Sequence, residues 1–504
     1  MKWKVAALAL AALMVIAPAV ATLAAAQQEP VTITIGALLP LTGDLQSYGE
    51  RAQAAIEFAV QEMNQYLQNK SAWFRLDLVV EDTQTKPDIA VQKFNALIAQ
   101  GIKFVVGPMT SASVKSIKDT ANQQNVLVIS PSSTAIELAI PNDNVFRFCP
   151  ADDVQSKAIG ALVRDLGIKA VVIIDRKDTW GIGLANATEN VLNQLGVEVK
   201  SVYGYNPESP TFSAIASSAQ KDVKDLINEY GTSKVAVIAI GFKEVKDLFA
   251  EARKYPSLGK VLWIGSDGTA LLTEIVSDPV AGAFGEQVHF INPIFSPAAT
   301  DEQQKVAQYV KQKLGVEPDA YSLAAHDAVV AITLALLQAG PTEDPNEMVN
   351  KVKQLLPQIT QSDEFAKYAA TGKFPLNEAG DRATADYDWW TIAEQGGNYT
   401  WVKVGSYHGN SDTNEWFKVD ALGGKTFPEV FQEAFGGAPA TTTAGQQSST
   451  TSPAQTSPAQ TSPAGGGQAA TTTTQKGGKN TALIAGIVIV IIIVIAAAAL
   501  AKRS

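Results

Sequence analysis

From Val31 onward the chain alternates short β-rich runs with amphipathic helical patterns, and this alternation constrains its fold more than any other feature. VTITIGALLP reads as a strand entering a turn. The helix after it carries Ala52, Ala55, Ile56, Ala59, Val60, Met63, Tyr66 and Leu67 at spacings of three and four, one buried face. Further strands are expected at Leu76 to Val80, at Phe104 and at Val126, with Pro87 opening an intervening helix and Gly101 stopping it. The pattern pauses around Val145 to Phe148 and restarts with AVVIID at Ala170, Val197 to Tyr203, VAVIAI at Val235 and VLWIG at Val261. An α/β protein follows, with two doubly wound parallel-sheet lobes joined near residue 148 and a cleft between them. Beyond Ala281 come another strand and two helices, then a stretch of strands and turns from GKFPLNEAGDR to about residue 405.

The two ends belong to a different category. Lys2 and Lys4 precede an apolar run that closes on Ala24-Ala25-Ala26, so residues 1–26 are expected to be a signal peptide. ALIAGIVIVIIIVIAAAALA, residues 482–501, has no charge and spans about 30 Å as a helix, the thickness of a bilayer core. Lys502 and Arg503 after it, with the basic start, orient the body outside as a single-pass, cell-membrane protein. Residues 437–479 contain Thr runs and the tandem TSPAQ-TSPAQ-TSPA, with no large apolar side chain, and are expected to be a disordered stalk whose composition suits O-glycosylation. Asn69-Lys70-Ser71, Asn186-Ala187-Thr188 and Asn398-Tyr399-Thr400 are N-glycosylation sequons of the kind a glycoprotein carries. A tether on a long stalk points to a cell with one membrane, such as an archaeon, where the body stays near its partners by effective concentration.

The remaining body, roughly 410 residues, is long enough for two domains with proper cores. A formal net charge of −10 argues against a nucleic-acid partner. Cys149 is the sole cysteine, which excludes an intramolecular disulfide framework, and His289, His326 and His408 show no ligand spacing, so no metal and no cofactor are expected. Gly181-Ile182-Gly183 resembles a dinucleotide loop, but Asn186 stands at the third glycine position, and no phosphate loop, HExxH or GxSxG is present. The carboxylate pairs Glu81-Asp82 and Asp152-Asp153 read as ordinary exposed faces or caps. An enzyme is not expected.

The informative loops follow the strands. Met109 to Ser113 and Ser132 to Thr134 put hydroxyls at helix starts in the first half, where they either cap helices or meet an anion. In the second half, Asp178-Thr179-Trp180 and Ser266-Asp267-Gly268 put an aromatic and an acid at the corresponding places, the complement of a zwitterion.

Together IGALLPLTGDLQSYGERAQAAIEFAVQEMN, VVGPMTSAS, ISPSSTAIEL, DTWGIGLA, IGSDG, Ala325 to Ala328 and GKFPLNEAGDR resemble, in order, the type I periplasmic binding proteins of ABC importers, in the branched-chain amino-acid group. The resemblance covers about residues 31 to 407. It implies three crossovers between the lobes, with the first lobe at 31–148 and again at 281–372, and the second at 149–280 and again at 373–436. It implies that Ser111 holds a ligand carboxylate, Thr134 bonds both carboxylate and ammonium, and Ser132 offers its carbonyl to the ammonium. Tyr48 and Trp180 fall at aromatic pocket walls and Asp267 at the acid that pairs with the ammonium. Gly241-Phe242 stands where the family has aromatic pocket residues, which implies an open wall there, and His326 replaces a frequent Tyr. The implied function is an extracellular solute-binding protein delivering a small ligand, an amino acid, to ABC permease subunits with cytoplasmic ATPases. A sensory ectodomain with a separate signalling partner is the alternative.

Overall fold

The structure is a computed structural model that describes residues 29–436. The expected signal peptide, stalk and membrane helix lie outside the described residues.

The first sheet has five parallel strands, β1 (Val31–Leu39), β2 (Phe74–Asp82), β3 (Phe104–Val106), β4 (Leu127–Ser130) and β5 (Val145–Arg147), in the order β2-β1-β3-β4-β5. Helices α1 (Gln46–Asn69), α2 (Pro87–Ala99) and α3 (Ser111–Gln124) make the crossovers. α1 buries the face read from its periodicity, from Ala52 through Leu67, with Val60 partly exposed at its edge, and adds Tyr48 and Arg51 at its first turns. The chain then passes through α4 (Asp152–Leu166) into a second sheet, β6 (Ala170–Arg176), β7 (Glu198–Tyr205), β8 (Val235–Ile240) and β9 (Leu262–Ile264), ordered β7-β6-β8-β9 and again all parallel. Helices α5 (Thr179–Gln194), α6 (Ser213–Tyr230) and α7 (Val245–Ala252) connect them. Each sheet thus reverses its strand order once, between β1 and β3 in the first and between β6 and β8 in the second. Such switch points open a crevice beyond the carboxyl ends of the strands.

α8 (Thr273–Val276) and α9 (Pro279–Gln287) stay with the second lobe, α9 packing on α7. β10 (Asn292–Ser296) stays there too, continuing from the bridge between Ile264 and Ile291. The chain returns to the first lobe only after Ser296, later than the residue 281 expected from the resemblance. The reason is long-range: β10 pairs antiparallel with β11 (Asp386–Gln395), which pairs with β12 (Asn398–His408) and β13 (Thr413–Trp416) in a four-stranded meander. Between β10 and β11, α10 (Asp301–Leu314), α11 (Ala320–Ala339), α12 (Pro345–Ile359) and α13 (Asp363–Tyr368) complete the first lobe. α11 is long and apolar enough to cross a membrane, but it is 94% buried and packs along α1 as the core helix of that lobe.

Three crossings therefore join the lobes, and Arg147 ties the first to the third. Its Nε and one Nη bond Asp381 at 2.6 and 2.5 Å, and its backbone pairs with Gly380 and Arg382. Both side chains are 1% exposed.

Candidate functional site

Each switch point delivers its residues through local chain geometry. Gly107, at φ +90°, follows β3 with its Cα so close to β1 that an added Cβ would stand 2.2 Å from the Leu38 carbonyl oxygen. That close approach sets Met109, Thr110 and Ser111 beside the turn that opens α1. Thr110 caps α3 by accepting from the Ser113 N–H at 3.3 Å, which leaves Ser111 uncommitted as a cap. The Ser111 hydroxyl accepts from Ala135 N–H at 3.1 Å and keeps its own proton to donate. After β6, Asp178 caps α5 through Gly181 N–H at 2.9 Å and so places Trp180 in the first turn.

These residues meet. One cavity is lined by Leu45, Tyr48, Met109, Thr110, Ser111 and Ser132 from one lobe and by Trp180, Phe242, Asp267 and Gly268 from the other, with Tyr321 of α11 at its floor. Of the residues read from the sequence, Tyr48, Ser111, Ser132, Trp180 and Asp267 line it. Thr134 lies just outside the lining, buried, with a hydroxyl that has no hydrogen-bond partner. The Ser132 hydroxyl is turned away to the Met109 carbonyl at 2.8 Å, so the side chain is spent on the loop. The wall at Phe242 is closed, contrary to expectation. Phe242 is 5% exposed, stacks on Trp180 at 4.9 Å, and has the Arg176 guanidinium 3.8 Å over its ring.

The lobes are closed on each other. Tyr48 donates to the carbonyls of Asp267, at 2.9 Å, and Ala270. Ser47 bonds Glu274 at 2.8 Å, Arg51 reaches Leu271 O at 3.1 Å and Thr273 Oγ1 at 3.0 Å, and Lys243 reaches Gly43 O at 2.7 Å. About 30 Å³ of the cavity admits a water-sized sphere, room for on the order of two waters. A ligand larger than that would require the lobes to part.

The electrostatics single out a residue that the sequence reading passed over. Asp152, at the start of α4, is fully buried. Gln155 bridges it to Asp267, donating to Asp152 Oδ1 at 3.0 Å and accepting from the Asp267 N–H at 3.0 Å. Tyr321 donates to Asp267 Oδ2 at 2.5 Å. Asp152 Oδ2 and Asp267 Oδ1 have no hydrogen-bond partner, although the Thr134 hydroxyl and Trp180 indole lie near enough to Asp152 to favour its charge. Burial pushes both carboxyls above the usual Asp range, and the charge of Asp267 raises Asp152 further. Arg147 favours ionised Asp152 but is committed to Asp381 and to the carbonyls of Ser133 and Ala135, at 2.9 and 2.8 Å. Among the described residues no side-chain cation pairs with either Asp152 or Asp267. The site thus offers the Asp267 carboxyl as a cation-binding end, with Asp152 behind it and outside the lining, the first turn of α3 with Ser111 as an anion-binding end, and an apolar wall between.

A family model described as the receptor family ligand-binding region matches residues 51–395. The chain belongs to this family. An uncharacterized protein of Methanocaldococcus jannaschii is 34% identical over 76% of this chain and 91% of its own length. A Leu/Ile/Val-binding protein of Rhizobium johnstonii is 28% identical over 73% of this chain and 94% of its own. Among solved structures, the leucine-binding protein LivK of Thermotoga maritima superposes with a TM-score of 0.60 at 22% identity, covering 73% of this chain and 97% of that one. The fold of this receptor-family chain is that of type I periplasmic binding proteins, and the family is one of ligand-binding proteins.

Asp152 and Tyr321 are what the sequence reading missed at this candidate site; Phe242 it placed at the wall but expected to leave open. Asp152 looks like any first-turn acid, and its burial arises only from tertiary packing. Tyr321 follows Asp319, which caps α11 through the N–H groups of Tyr321 and Ser322, both at 2.9 Å; that cap was a legible signal for a helix start facing the cleft.

Proposed function

We propose that this protein is an extracellular solute-binding protein that closes on a branched-chain α-amino acid and delivers it to an ABC permease. The Asp152–Asp267 pair carries the reading: two buried carboxyls, Asp267 in the cavity lining and Asp152 behind it, held by Gln155 through the Asp267 backbone N–H, that no side-chain cation of the described residues pairs with. A ligand ammonium supplies the missing charge. The ligand carboxylate then faces Ser111 and the free N–H groups of the first turn of α3, with Thr134 close behind. Leu45, Met109, Tyr48 and the Trp180–Phe242 stack receive an aliphatic side chain of moderate size. The names of the relatives support this choice, and so does a solved Streptococcus pneumoniae transporter substrate-binding protein in complex with isoleucine, 20% identical with a TM-score of 0.58. Ligand bridging favours the closed form, which the permease then recognises.

In this account the N-terminal segment exports the body and the C-terminal apolar segment anchors it to the membrane, with residues 437–479 as a spacer. Asn69, Asn186 and Asn398 are exposed, which supports glycosylation of a body held outside the cell.

The charge pairing sets a proton linkage. Both carboxyls have raised pKa values in the ligand-free fold, so the native state holds protons that the unfolded state releases above about pH 4. Stability of the ligand-free protein therefore falls as pH rises from that point through the native pKa values. An arriving ammonium favours the ionised pair, so binding releases protons and tightens with rising pH until the free pair has ionised. Calorimetric titration of the full-length protein with leucine, in two buffers of different ionisation enthalpy, reads this directly. Net proton release supports the pairing; proton uptake, or affinity independent of pH from 4 upward, contradicts it.

A further inference from the structure

Away from the cleft, three helices of the first lobe bring together Glu62 of α1, Glu302 of α10 and His326 of α11. One ligand atom from each lies within 4.8 Å of the other two. His326 is fully buried and Glu302 is 2% exposed. The facing atoms, Glu62 Oε2, Glu302 Oε1 and His326 Nε2, all lack hydrogen-bond partners. Unpaired buried polar atoms are costly, and three converging on one point call for a shared partner.

The surrounding groups orient this set. His326 Nδ1 stands 3.0 Å from Asp327 Oδ1. The Asp327 carboxylate also accepts from Ala370 N–H, Thr371 N–H and the Thr371 hydroxyl at 2.7, 2.9 and 2.6 Å, so it is an acceptor throughout. Nδ1 therefore donates to Asp327, and Nε2 is the ring nitrogen that faces the two glutamates and is left to ligate a metal. Phe58 stacks on the ring at 6.0 Å and holds its plane. Lys305, more than half exposed, occupies the outer oxygens, Glu302 Oε2 at 2.6 Å and Glu62 Oε1 at 3.3 Å, and leaves the inner ones free.

We propose that Glu62, Glu302 and His326 form a structural site for a borderline divalent cation, zinc above all, with water as the fourth ligand. Two carboxylates and a neutral imidazole match that cation in ligand type and charge. Tetrahedral ligands about 2.0–2.1 Å from zinc stand about 3.4 Å apart. His326 Nε2 and Glu302 Oε1 are 3.9 Å apart, so that pair closes by about half an ångström, and Glu62, with its atom within 4.8 Å of both, swings in from the rim. Glu62, partly exposed, gives the water and the metal their way in. The cation pins α10 and α11 to α1, the helices that carry the first lobe's return segment and, at their cleft ends, Tyr48 and Tyr321. The wide sequence separation of the histidines gave no hint of this, because two ligands are carboxylates on other helices.

The test uses full-length protein purified in detergent, stripped with chelator and titrated with Zn²⁺ alone, then with Co²⁺ as a visible probe. One equivalent binds, Co²⁺ shows the intense visible bands of a tetrahedral N/O site, and the melting temperature rises by about 2–5 °C. His326→Gln and Glu62→Gln each lower affinity at least tenfold; Glu62 sits at the rim, so its variant keeps the fold and serves as the check on folding. His408 touches Asp386 at 3.0 Å and Glu415 at 3.3 Å on the surface, a rival location. His408→Gln leaves the tight equivalent in place. Loss of that equivalent in His408→Gln, its persistence in Glu62→Gln, or no binding to the wild-type chain overturns the proposal.

Discussion

Asp267→Asn lowers leucine affinity by about 30- to 5000-fold, the range for removing one partner of a buried, hydrogen-bonded charge pair. Asparagine keeps the shape of the side chain and an acceptor for Tyr321, so the change is mainly one of charge. The paired measurement is the affinity for 4-methylpentanoate, which is leucine without its ammonium. That ligand never engages the carboxyl, and the substitution changes its binding less than threefold. Titration of both ligands against both proteins separates the two effects. Equal losses for leucine and its des-amino analogue would remove Asp267 from the ammonium end of the site.

The second large effect is on the fold. Asp381→Ala leaves the Arg147 guanidinium, 1% exposed, facing only the carbonyls of Ser133 and Ala135. Breaking a buried pair from one side costs about 3–5 kcal/mol, because a charge stays behind without its partner. Because the pair joins the first and third crossings, the loss falls on the hinge and on the end of β5. The double variant Arg147→Met/Asp381→Leu removes both charges and recovers most of the stability. Urea unfolding of the three proteins measures this. A single-variant cost under about 1 kcal/mol would show that the pair is not a hinge constraint.

The parts of this molecule legible in its sequence are those that local periodicity encodes. The buried stripe of α1 follows from spacings of three and four, and the parallel strands follow from their alternation with helices. Strand order is another matter, because neighbours such as β1 and β3 are set by tertiary packing that no local spacing records. The same holds for β10, whose partner Trp390 stands far along the chain from Asn292. That is why the return to the first lobe was expected too early. In the site, hydroxyls and acids at strand ends were readable because switch-point loops follow from the β-α pattern. Asp152 was not, since its chemistry comes from burial beside Asp267, brought near it only by tertiary packing within the second lobe. The closed wall at Phe242 came from stacking on Trp180, a contact between the loop after β8 and the first turn of α5, 62 residues apart in sequence, as their numbers show.

The central claim is that a small zwitterion binds between the lobes, and thermal melting of the full-length protein against a panel of amino acids and their des-amino analogues tests it most directly. At a thousandfold excess over Kd, a bound ligand adds about 4 kcal/mol to the native state. Leucine, isoleucine and valine are predicted to raise the melting temperature by several degrees, and their des-amino analogues by much less. A panel in which no amino acid shifts the melting temperature, or in which the des-amino acids shift it equally, would contradict the account.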